Sequence, residues 1–178
     1  MKIFATILGY LGMAFLAFSF QCKREKALFV CQMLSGLFFV FHYGLLGDYT
    51  GMAMDGVCFL RALMMASGKR VLMSRGMMCG ILATILLLCV VTWEGIFSLF
   101  PTIALFVSTV FLYSANGDKI RRAQLFCTSP SWMVYNIHVF SVPGILCEAL
   151  DMGSVLLYEY RAWRKSRATR ELSKKKEW

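Results

Sequence analysis

Apolar residues in this chain come in blocks separated by short polar breaks, and the blocks are all of one length. Seven stretches of roughly 17 to 21 residues are each long enough to cross ~30 Å of hydrocarbon as a helix rising ~1.5 Å per residue. They are 3–20, 27–46, 51–67, 77–93, 97–114, 123–141 and 144–161. The breaks "QCKREK", "LLGDYTG", "SGKRVLMSR", "TWEGIFS", "ANGDKIRR" and "SVPG" hold the glycines, prolines and charges that end helices or stand in water. Two of these breaks are so short that the helices they join must lie side by side and antiparallel. The first block follows Met1 and Lys2 as a signal peptide would. No A-x-A site follows it and Gln21 precedes Cys22, so an uncleaved first span is expected.

Composition makes the pattern an integral membrane protein. Hydrophobic residues are 58% of the 178 residues and charged ones 16%, with a mean hydropathy of +0.63. A formal net charge of +9 invites a nucleic-acid reading. The basic residues, however, sit in the breaks and in the last part of the chain, which fits membrane topology better than a groove-reading surface. Seven cysteines with no CxxC spacing indicate neither a disulfide framework nor a zinc site.

Orientation follows from where the basic residues fall, because Lys and Arg flanking spans stay on the cytoplasmic side. Lys23, Arg24 and Lys26, then Lys69, Arg70 and Arg75, then Lys119, Arg121 and Arg122, then the tail, occupy alternate breaks; the others carry Asp48 and Glu94 instead. Seven spans with the N-terminus outside and the C-terminus cytoplasmic are expected. Arg61 and Arg161 lie near the cytoplasmic ends of their spans, where long side chains can snorkel to the interface. The tail "RAWRKSRATRELSKKKEW" holds eight basic residues, which suits anionic lipid at the inner leaflet, with Trp163 as an interfacial anchor.

The second and third spans also align with the sixth and seventh at an offset of 93 residues. His42 then falls on Tyr135, Phe39 on Trp132, Gly51 on Gly144 and Asp55 on Glu148, although Arg61 falls on Ser154. The reading is an all-α membrane fold of two parallel three-helix repeats, 1–67 and 95–163, joined by a linker region 68–94 that holds the fourth span. Residues 164–178 form a basic tail. Three crossings reverse the chain, so parallel copies need one extra helix between them.

These residues resemble the YgjV family of bacterial inner-membrane proteins, itself similar to the SWEET, SemiSWEET and PQ-loop transporter group. The resemblance is carried by "FHYGLLGDYTGMAMDGVCFLRAL", through His42, Leu45, Leu46, Gly47, Tyr49 and Arg61. It extends to "LFPTIALFVSTVFLY", through Pro101, Ser108 and Thr109, and to "SWMVYNIH" with Trp132, Asn136, Glu148 and Arg161. It implies a bacterial inner-membrane location and a SWEET-like 3+1+3 fold. Where SWEET-like proteins place sugar-contacting Asn residues in the third and seventh spans, this chain has Cys58 and Tyr158, and it has Tyr135 where the pattern has His.

Ionisable groups at bilayer depth need a partner or a task. Asp55 and Glu148 each stand four residues after the glycine that opens their helix, either as carboxylates favoured by the helix N-terminus or as groups facing a central cavity. Asp151 is one turn deeper on the face of Glu148, and two such carboxylates repel, which makes the pair a proton-coupling candidate. Polar stripes run through Gln32, Ser35 and His42, through Thr102, Thr109 and Tyr113, and through Ser131, Tyr135 and His138, with Asn136 and Trp132 on the neighbouring face. They either line a cavity or bond packed helices together. Pro101, Pro130 and Pro143 are hinge candidates.

No Ser-His-Asp set, phosphate loop or metal cluster is present, so neither an enzyme nor a bound cofactor or metal is expected. The expected function is transport of a small polar solute by alternating access, with proton coupling through Glu148, Asp151 or Asp55, and binding by these with His42, Tyr135, Asn136, His138 and Trp132. The alternative is a non-transporting membrane receptor or scaffold acting through the polar helix face and the basic tail. Expected partners are the bilayer, anionic lipid at the tail and an unknown small solute, with no nucleic acid; homo-oligomerisation stays open.

Overall fold

A computed structural model describes residues 2–19, 21–22, 24–114 and 116–176, and among them there is no strand. The helices are α1 (Lys2–Ser19), α2 (Glu25–Leu46), α3 (Tyr49–Ser67), α4 (Arg75–Val91), α5 (Leu99–Tyr113), α6 (Gly117–Ala123), α7 (Ser129–His138) and α8 (Val142–Lys176). A π turn, Gln124–Thr128, joins α6 to α7, so that these three make one helical rod. Short 3₁₀ turns at Arg70–Met73 and Ile96–Ser98 bracket α4. Lys23 of the first basic break and Phe20 at the end of the first span lie outside the described residues, as do the tail side chains of residues 165, 166 and 168–176.

The predicted boundaries hold to within a few residues for the first five blocks. The sixth begins earlier, at Gly117, because Asn116 caps it, its side chain accepting from the Lys119 amide at 3.1 Å. Its basic first turns then run into the apolar part without a break. The seventh does not stop at Arg161. α8 continues to Lys176 because nothing from Arg161 onward, glycine or proline, interrupts it.

Lys2–Ser19, Lys26–Leu46 and Ile96–Tyr113 are long and apolar enough to cross a membrane, and Arg75–Val91 is a shorter apolar helix. They present a lipid-like exterior, with Ile3, Phe4, Leu87 and Val90 among the exposed residues. α3, α7 and α8 carry Asp55, Arg61, Asn136, Glu148 and Asp151, and are correspondingly more polar. Packing runs α1 on α2 and α2 on α3, then α5 on α7 and α7 on α8; the two groups meet where α1 touches α8 and α3 touches α5. α4 packs against α3 and α5 on the outside. The core at the junction is Phe39, Tyr43, Met54, Leu105, Trp132 and Tyr135, with Tyr43 and Trp132 stacked at 6.3 Å between centroids.

Candidate functional site

A cavity of about 240 Å³ lies between the two groups of helices. Asp55, Cys58 and Arg61 of α3 line it from one side, and Glu148 and Asp151 of α8 from the other. Its far reaches are Phe29, Met65, Leu112 and Ile120, all near the helix ends that carry the basic breaks. At the opposite end the lining stops at Tyr43, Asn136 and Gly144.

That closed end is built from contacts that occur in matched pairs. Tyr43 donates through its hydroxyl to Oδ1 of Asn136 at 2.5 Å, and these residues are 93 positions apart. Above this bond, His42 Nε2 is bonded to the Ser141 hydroxyl at 2.8 Å across 99 residues, and the Tyr135 hydroxyl donates to Oδ1 of Asp48 across 87. Exchanging each residue for the one 93 away turns the first of these contacts into the second.

The turns beneath them match as well. Asp48 and Ser141 are the residues that precede α3 and α8, and their side chains accept from the amides of Gly51 at 3.0 Å and Gly144 at 3.2 Å. Their own amides return to the carbonyls of Tyr43 at 3.0 Å and Asn136 at 2.9 Å. Each turn is made by a residue in the left-handed region, Gly47 at φ 82° and Phe140 at φ 55°. Both following glycines are required by close approach: a Cβ on Gly144 would lie 2.3 Å from Asn136 Oδ1, and one on Gly51 2.9 Å from the Tyr43 ring.

Remaining bonds hold this end to its neighbours. His42 Nδ1 is bonded to the Ala5 carbonyl at 2.7 Å. The Thr50 hydroxyl donates to the Thr92 carbonyl and shares a 3.1 Å contact with Ser98. Glu94 accepts from the Tyr49 amide at 3.0 Å. Burial pushes the Asp48 carboxyl above its ordinary range, and neighbouring Glu94 adds to this, against the lowering effect of the hydrogen bonds from Tyr135 and Gly51.

Deeper in, Gln124 uses its amide nitrogen to reach Asp151 Oδ2 and the Ser129 hydroxyl, both at 2.9 Å. Gln124 is the first residue of the π turn, whose hydrogen bonds span five residues in place of four. The turn absorbs Pro130, whose ring has no room in a regular helical path. Pro101 and Pro143 fall in the first turns of α5 and α8, where a missing amide leaves no hydrogen bond unmade.

Of the residues singled out from sequence, Asp55, Glu148, Asp151, Trp132 and Asn136 line the cavity, and His42 and Tyr135 stand at its closed end. His138 is elsewhere: it is exposed and stacks on Phe97 at 3.8 Å between centroids, because α7 ends there and its last turn faces the start of α5. Arg61 does not snorkel outward. It turns into the cavity wall and donates to the hydroxyls of Ser108 and Thr109, both at 2.9 Å. Gln124, Ser141 and Asp48 are site residues that pattern reading passed over. Asp48 and Ser141 each stand three residues before a helical glycine, the spacing of a helix cap, and that signal was available.

No group of three or more metal-ligating side chains occurs among the described residues. No curated protein and no solved structure matches the chain. The family model of the YgjV proteins, described as bacterial inner membrane protein, matches residues 3–166. An apolar exterior is what such a location demands, and the chain belongs to the YgjV family of bacterial inner membrane proteins.

Proposed function

We propose that this protein moves a small polar solute across the inner membrane by alternating access, with proton coupling through Asp55, Glu148 or Asp151. The observation that carries the reading is the cavity between two groups of helices, closed at one end by contacts that each group makes in the same way. A gate built from matched halves can open by rocking one half against the other, and parallel repeats around a mid-membrane site are a known transporter plan.

The helix packing supports a SWEET-like 3+1+3 arrangement of seven crossings. In each group the middle helix is flanked by the other two. The contacts between groups, α1 with α8 and α3 with α5, exchange when the groups are swapped. α4 is then the linker that restores direction. With the basic breaks cytoplasmic and the N-terminus outside, the cavity faces inward and the His42–Ser141 and Tyr135–Asp48 pairs form the outer gate. Pro130 beside the π turn is the hinge candidate that interrupts a continuous rod.

The test is flux in proteoliposomes holding an entrapped pH dye and exposed to pooled radiolabelled sugars, amino acids and amines under a pH gradient. Solute entry that falls by roughly tenfold or more, about 1.4 kcal/mol, in Glu148→Gln and Asp151→Asn supports the reading. If neither solute nor proton moves, and these variants leave stability and phenotype unchanged, transport is excluded and the receptor or scaffold reading stands. A reporter fused to the C-terminus must report cytoplasm; a periplasmic signal overturns the orientation and the inward-facing assignment with it.

A further inference from the structure

We propose that the solute held in this cavity is a small organic cation, an amine or quaternary ammonium compound, bound by Glu148 and Asp151 and packed on Trp132 and Tyr43. The inference deepens the transport reading and rests on the same cavity.

Charge is the first ground. Asp55, Glu148 and Asp151 line the space against one arginine. Arg61 is turned to two hydroxyls, and the ion pairs found among the described residues involve Arg121 with Asp118 and Glu159, none of them a cavity group. With these carboxyls ionised, the wall carries more negative charge than Arg61 can answer, a costly condition in a site removed from bulk water unless a cation enters.

Hydrogen-bond inventory is the second and independent ground. Oε2 of Glu148 and Oδ1 of Asp151 are buried and have no hydrogen-bond partner among the described residues. Gln124 satisfies only the other oxygen of Asp151. Ionised carboxylates only accept, so the missing partner must donate, and a positively charged donor also answers the charge.

The wall opposite is aromatic. Trp132, Tyr43 and Phe39 are among the cavity's lining residues and stack on one another, and a cation beside such rings is attracted by their quadrupoles. Asn136 Oδ1 is already taken by Tyr43. The volume, about 240 Å³, falls just below the range of ~300–1,000 Å³ common for drug-sized ligands, so the occupant is small.

The experiment is thermal unfolding of the purified full-length protein with methylammonium, choline and putrescine, against 3,3-dimethylbutan-1-ol, glucose and equal concentrations of sodium chloride. At least one of the organic cations should raise Tm saturably where the neutral compounds and sodium do not. Glu148→Gln or Asp151→Asn should move the saturation midpoint at least about tenfold. The wild-type series decides the matter even if a variant fails to fold. A shift from none of the cations, or an equal shift from glucose, the neutral alcohol or sodium, overturns the inference. Cation binding without flux supports this site while removing the transport reading; glucose flux without cation binding does the reverse.

Discussion

Tyr43 and Asn136 meet across the middle of the molecule, hydroxyl to amide oxygen at 2.5 Å, from the same position in two stretches of sequence 93 residues apart. Both are almost fully buried, at 2% and 1% exposure. Each half thus contributes one partner of a single central bond, with the His42–Ser141 and Tyr135–Asp48 bonds on either side.

Removing one partner of the central bond strands the other. Tyr43→Phe should lower stability by about 1–3 kcal/mol, because Asn136 Oδ1 keeps its desolvation and loses its donor. Tyr43→Phe combined with Asn136→Leu should lose less than the sum of the single changes. A double-mutant cycle from denaturant unfolding in detergent measures the coupling; additive losses would mean the bond contributes nothing.

Gly144→Ala should be damaging and Gly56→Ala tolerated, although both glycines lie within helices. The added Cβ meets Asn136 Oδ1 at 2.3 Å in the first case and nothing within 4 Å in the second. Overpacking of this kind destabilises by about 1–3 kcal/mol, and Gly51→Ala should behave like Gly144→Ala because its Cβ meets Tyr43 and Asp48. Melting temperatures of the three variants rank them.

Phe140 holds φ 55° where its counterpart is Gly47. A side chain in the left-handed region is strained by roughly 1–2 kcal/mol, and Phe140 is 87% exposed, so it buries little in return. Phe140→Gly should therefore stabilise by roughly 0.5–1 kcal/mol after the greater unfolded freedom of glycine is counted. Gly47→Ala should destabilise. Opposite signs in unfolding experiments on the two variants check this.

Asp48 should make the closed end of the cavity sensitive to pH. Its carboxyl is raised above the ordinary range, chiefly by burial, so the folded state binds its proton more tightly than the unfolded chain does. Its contribution to stability is full below the unfolded value of about 3.9 and is lost as pH rises through the raised folded value. Asp48→Asn should flatten the fall in Tm over that window while keeping an acceptor for Gly51 and Tyr135. An unchanged Tm profile in this variant would assign the pH dependence to other groups.

The positions of the helices follow from local order in the chain. Blocks of apolar residues broken by glycine and charge read as helices, because lipid leaves few other ways to satisfy the backbone, and three of the helices are long and apolar enough to cross a membrane. The matching of Gly51 with Gly144 and of Asp55 with Glu148 was also readable, since it is a relation between two strings. Bonding partners were not readable. His42 finds Ser141, Tyr135 finds Asp48 and Gln124 finds Asp151 only after separate helices have packed. Nothing in the residues near any of them names the other. His138 shows the converse: its helical phase put it with Tyr135, yet α7 ends at that residue and the turn sends its ring onto Phe97. Arg61 likewise looked bound for the interface until the hydroxyls of Ser108 and Thr109 on α5 came within 2.9 Å. Hydropathy is a one-body property and is written in the chain. Which polar groups share a cavity depends on helix rotation and crossing, and those are decided by packing.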